Sequence, residues 1–199
     1  MDLFFFLLGT AALLGGLHMI APDHWAPLAV VSRKLKYTGR KTYLTAASLG
    51  AIHAITSEAI AGLVLVIGVL LVHRYLGYVE IASIILLFAV GIYFIVNGVM
   101  EIELKDDQSN APVKSILAIS AFPDLALIPI ILAGSALSLL EIGLILAVFI
   151  IVSSISLTVM SYLSTRGLAG AMEKIPPRYI DYVMGLILFL TAIIIIFTS

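Results

Sequence analysis

Two imidazoles and a carboxylate stand in an otherwise uncharged stretch: His18, Asp23 and His24 are the only ionisable residues between Leu3 and Val31. Imidazole nitrogen combined with carboxylate oxygen suits borderline transition metals, whereas calcium and magnesium prefer all-oxygen shells and copper(I) prefers sulfur. A regular helix works against such a site, because His18 and His24 would lie about 240° apart around its axis. Both can reach one ion only if the helix unwinds between them, and Pro22 stands where that break is needed. Because proline has no N–H, Pro22 frees the carbonyl of His18 and Pro27 that of Asp23, while Pro123 and Pro129 free those of Ile119 and Leu125, which adds candidate acceptors.

The elements that must carry these groups are membrane-spanning helices. The chain is 62% hydrophobic and 12% charged, with a mean hydropathy of +1.18, whereas a soluble domain is about half apolar and about a quarter charged. The apolar runs are too long and unalternating for barrel strands of roughly 10 residues, so the backbone is satisfied within helices. Six spans are expected, at Leu3–Val31, Tyr43–Val72, Ile81–Met100, Ile116–Leu137, Ile142–Leu163 and Ile180–Thr198, in a single membrane domain over residues 1–199. The first two, roughly 45 Å long as straight helices, exceed a hydrocarbon core of about 30 Å and must tilt, project or break. The Met-Asp start and the apolar run continuing past Pro22 do not fit a cleaved signal peptide, so the first span is expected to be retained. The absence of cysteine excludes disulfides and thiolate ligands. No segment suggests a nucleic-acid partner.

Ten of the eleven basic residues fall in three loops on one side of the expected bundle and only Arg74 on the other. The positive-inside rule makes the ten cytoplasmic and predicts a cell-membrane protein with both termini outside. Six spans divide into two inverted three-helix repeats, about residues 1–100 and 114–199. Pro22-Asp23 aligns with Pro123-Asp124 at an offset of 101 residues, each followed by a further proline. Interrupted helices at matching positions of inverted halves point to a transporter site near the midplane, so breaks are expected near Pro22 and Pro123. Asp23, His53 and Asp124 lie ten, twelve and ten residues from their basic flanks, roughly 15–18 Å deep. His53, Thr56 and Ser57 share one helix face, with Glu58 pointing away from it. Asp124, Ser57 and Glu58 are assigned to coupling or the substrate path, with a cap of the half-helix beginning after Pro123 as the alternative role of Asp124. The hydroxyls of the fifth span (Ser153, Ser154, Ser156, Thr158, Ser161) are read as helix packing. His73, Arg74, Glu80 and Glu141 are read as interfacial, and the acids between Glu101 and Asp107 as a solvated loop.

The pattern H-x-x-x-x-D-H, filled by His18, Asp23 and His24, is similar to the signature of the nickel/cobalt transporter family. Gly50-Ala51-Ile52-His53 followed by Ser57 resembles that family's second histidine region more loosely. This chain departs from the family in being shorter, in having six spans rather than the usual eight, and in lacking a histidine-rich loop. The resemblance implies that His18, Asp23 and His24 handle a divalent ion such as nickel or cobalt; together with the inverted halves this predicts transport by alternating access, with His53 completing the metal site and Asp124 completing or coupling it. It implies no prosthetic group, with the metal ion as substrate and the lipid bilayer as surroundings. Self-association into a homo-oligomer stays open. The wider group of six-span carriers includes exporters of amino acids and sulfite-like anions, so a proton-coupled exporter of a small organic or sulfur-containing anion is the alternative function. A buried polar network that pins the broken helix is the structural alternative. With no H-E-x-x-H, no G-x-S-x-G and no cysteine, an enzyme is not expected.

Overall fold

A computed structural model describes residues 2–72, 76–100, 123–167 and 176–198, with the side chains of Asp23 and of a few helix-end residues outside that description. The described residues are helical, without strands. In chain order the helices are α1 (Leu3–Ile20), α2 (Pro22–Lys34), α3 (Gly39–Val72), α4 (Leu76–Met100), α5 (Leu127–Ala133), α6 (Leu139–Thr165) and α7 (Pro177–Thr198). Five of them, α1, α3, α4, α6 and α7, contain stretches long and apolar enough to cross a membrane. The expected fourth span is described only from Pro123 onward, where α5 supplies seven helical residues. The charged run from Glu101 to Lys114, together with His73, Arg74 and Lys174, lies outside the described residues.

The two over-long spans are handled differently. The first divides at Ala21 into α1 and α2. The second is one continuous helix of 34 residues, about 51 Å long, so it exceeds the hydrocarbon thickness and must tilt or project. Helix ends are set by local chemistry. Asp2 caps α1 by accepting from the Phe4 amide at 3.1 Å. Ser138 and Glu141 form a reciprocal capping box at the start of α6, which gives Glu141 a structural role at that end.

Leu7, Ala11 and Leu14 line one face of α1 and are buried with Phe149 and Ile145 of α6 and with Leu127, Ile130 and Ile131 of α5. α4 packs chiefly on α7, α3 and α1 on α6, and α5 on α3 and α4. Large apolar side chains such as Leu63, Ile85, Ile155, Leu186 and Phe197 stay exposed on the outside, the surface expected of helices solvated by hydrocarbon rather than water.

Small residues set the closest approaches, as in other bundles where helices have no hydrophobic drive to associate within lipid. A Cβ added at Gly50 of α3 would stand 2.8 Å from the Ser154 Cα and 3.1 Å from the Ser153 carbonyl oxygen of α6. Gly91 of α4 and Gly185 of α7 meet in the same way, each facing the other's carbonyl. The serines of α6 thus pack, as expected: Ser153 and Ser161 are buried and the Thr158 hydroxyl bonds back to the Ser154 carbonyl. Gly50→Ala must force α3 and α6 apart against backbone, which should cost about 1–3 kcal/mol. Gly62→Ala, on the same helix but facing open space, should be neutral or slightly stabilising. Thermal unfolding of the two variants in detergent checks the pair, and equal melting temperatures would contradict the close α3–α6 contact.

Candidate metal centre

The break that the ligand spacing demands lies at Ala21. Its backbone is extended (φ −57°, ψ 138°), the conformation a residue preceding proline prefers, and Pro22 then starts α2 at a first-turn position where its missing N–H costs nothing. The bend turns the histidines toward each other. The Nε2 atoms of His18 and His24 stand 3.0 Å apart, a hydrogen bond in which one ring donates and the other accepts. From α3, His53 joins them, with ring centroids 5.1 Å from His18 and 5.0 Å from His24. His24 and His53 are 4% and 0% exposed, so these imidazoles sit inside protein rather than at a surface that binds ions loosely. One nitrogen from each of the three rings lies within 4.8 Å of the others, the one such cluster among the described residues.

Two nitrogens bound to one tetrahedral ion at about 2.0–2.1 Å stand roughly 3.4 Å apart. The His18–His24 pair therefore needs only a few tenths of an ångström of opening, with both rings carrying their proton on Nδ1, to become two ligands. Asp23 is the second residue of α2, and its side chain lies outside the described residues.

The described part of the second half reaches this cluster through one polar relay. The Ser57 hydroxyl donates to the His53 carbonyl at 2.7 Å and accepts from the Asp124 amide at 2.7 Å. Thr56 also donates to the His53 carbonyl, at 2.8 Å. Asp124 is buried and accepts from the Ala126 amide through Oδ1 at 2.8 Å, a local bond that closes the turn before α5, whose own N-cap, Ala126, has no side-chain partner. Its Oδ2 makes no hydrogen bond among the described residues, and the carboxylate lies within electrostatic range of His53 and His24. Glu58 is half-buried on the same helix as His53, one residue beyond Ser57, and is not part of the three-histidine cluster.

The carbonyls expected to be left open by proline are not all open. Ala21 donates to the His18 carbonyl at 3.2 Å and Ile128 to the Leu125 carbonyl at 3.3 Å, each a tightened turn replacing the lost helical bond. The Ile119 carbonyl lies outside the described residues. A residue that sequence reasoning passed over completes the break: the buried Trp25 indole N–H donates to the Ile20 carbonyl at 2.9 Å, tying the end of α1 to α2. Its signal was available, since a lone indole donor beside a proline break in an apolar segment needs an acceptor, and the last carbonyls of the interrupted helix supply one.

No family model, curated protein or solved structure matches this chain. Trp25→Phe keeps an aromatic ring but leaves the Ile20 carbonyl without its donor, a loss of about 1–3 kcal/mol for a buried group. The melting temperature of the variant should fall accordingly, and an unchanged value would remove the indole from the architecture of the break.

Proposed function

We propose that this chain moves a divalent transition-metal ion, nickel or cobalt, across the cell membrane by alternating access. The observation that carries the reading is the convergence of His18, His24 and His53 from both sides of a helix break and from a neighbouring helix. Buried imidazoles in lipid are costly, and a cluster of three nitrogens is a donor set that borderline metals use and alkaline-earth ions avoid. His18, His24 and His53 are the ligands, Asp23 supplies a fourth donor or orients an imidazole, and Asp124 balances charge or carries a proton as the ion enters and leaves. Ser57 holds Asp124 in register with His53, and Glu58 lies along the path.

Alternating access asks for two halves that rock against each other, and the packing supports such a division. Exchanging α1 and α2 with α5, α3 with α6, and α4 with α7 maps the main contacts onto one another: α1 on α6 becomes α5 on α3, α1 on α7 becomes α5 on α4, and the α3–α6 and α4–α7 pairs map onto themselves. This correspondence supports reading the chain as two inverted three-helix repeats; six spans with both termini outside belong to the same proposal and rest on the placement of the basic residues.

A ligand bound only by the native state raises apparent stability. Thermal unfolding in detergent with nickel, cobalt, zinc, manganese and magnesium should give the largest shifts for nickel or cobalt and none for magnesium. His24→Ala and His53→Ala should each shrink the shift and abolish the metal flux into proteoliposomes while still inserting. Because a metal must displace protons from imidazole, the shift should shrink on acidification. Stabilisation by sulfite or a small organic anion, with no response to any metal, would overturn the reading in favour of anion export.

A further inference from the structure

The basic end of the bundle holds a second polar site, remote from the histidines along α2. A cavity of about 260 Å³ opens between the end of α2, the loop to α3 and the end of α6. Among the described residues it is lined by Ser32, Arg33, Lys36, Tyr37, Thr42 and Ser164, among others, which bring two cations, several hydroxyls and no carboxylate. Among the described residues no acid pairs with Arg33 or Lys36. It is smaller than the roughly 300–1,000 Å³ of sites for drug-sized ligands, a size for a small anion or the charged end of a larger molecule.

Two features show that this place is built. Ser32 is 8% exposed and lines the cavity, yet its hydroxyl makes no hydrogen bond among the described residues. A serine in a helix ordinarily bonds back to a carbonyl one turn earlier. The backbone gives the second feature. α2 ends with Tyr37 N–H on the Ser32 carbonyl at 2.9 Å and Lys36 N–H on the Arg33 carbonyl at 3.2 Å, the paired bonds of a Schellman ending. The residue that must turn left-handed in that motif is Lys36, with φ +50°. Glycine is the default there, and α6 uses it: Gly167 ends that helix at φ +71°. At the end of α2 a lysine holds the strained position, and its side chain lines the cavity.

We infer that this cavity binds a phosphate group, presented by an anionic phospholipid whose headgroup lies where the apolar helices leave the bilayer. Arginine grips phosphate oxygens with a planar fork, lysine adds a point charge, and the Ser32 hydroxyl donates to a remaining oxygen, the Thr42 hydroxyl being already committed to the Thr38 carbonyl. Basic residues at the membrane surface are drawn to anionic lipid. The inference does not depend on what the histidines bind.

Lys36→Gly is the informative variant, since it removes the cation while relieving the backbone, and it should fold at least as well as the wild type. The full chain is placed in nanodiscs of phosphatidylcholine alone and of phosphatidylcholine with phosphatidylglycerol, and inorganic phosphate is titrated separately in detergent. The wild type should melt higher with phosphatidylglycerol, and Lys36→Gly and Arg33→Gln should lose that increment and bind at least about tenfold more weakly. Lys34→Gln, one residue outside the cavity lining, should keep it. Saturable stabilisation by inorganic phosphate that these two variants lose, with no lipid effect, would keep the phosphate chemistry and reassign its source to a soluble ligand. Equal responses of wild type, Lys36→Gly and Arg33→Gln to both probes, or a loss in Lys34→Gln as large as in Lys36→Gly, would overturn the site.

Discussion

The architecture depends on one missing hydrogen-bond donor. Pro22 cannot continue the helix begun at Leu3, so the chain extends for a single residue at Ala21 and restarts as α2. Within hydrocarbon such a gap is tolerated only where protein surrounds it and other donors take over the freed carbonyls. Ala21 N–H covers the His18 carbonyl and the Trp25 indole covers that of Ile20. A continuous helix would carry His18 and His24 on divergent faces; the break brings their rings to 4.6 Å between centroids.

His53 joins them because α3 lies close to α6 and bonds to the segment leading into α5. Gly50 sits one turn before His53 and touches the α6 backbone directly, so helix spacing and ligand position are coupled. The Ser57 hydroxyl serves the His53 carbonyl and the Asp124 amide at once, which ties the first half of the chain to the second at the level of the site. A shift of the Asp124 segment relative to α3 would thus change what surrounds His53, which the proposed alternating-access carrier would use to couple access to binding.

Much of this was legible in the sequence because membranes make polar groups conspicuous. His18, Asp23 and His24 stood out against a long apolar stretch, the proline predicted the break to within one residue, and the period of α3 placed His53 and Ser57 on one face. Capping of the half-helix after Pro123, the second role open to Asp124, is met only one turn early: its carboxylate holds the Ala126 amide before α5, while the helix itself has no side-chain cap. Other features depend on three-dimensional detail that no periodicity records. The i+3 bonds that take up the His18 and Leu125 carbonyls are local adjustments of the turns, and the contact of Gly50 with Ser154 depends on how two helices cross. Trp25 and the left-handed Lys36 were in plain sight, yet their meaning appears only once the helix ends are known.

The most direct test is X-ray absorption at the nickel or cobalt edge of the metal-loaded, purified chain. Three histidine ligands give the outer-shell scattering of three imidazole rings around an ion at metal–nitrogen distances near about 2.0–2.1 Å, and one ring fewer is expected in His53→Ala if metal is still retained. An oxygen-only shell, or a spectrum unchanged in both His24→Ala and His53→Ala, would contradict a metal held across the break.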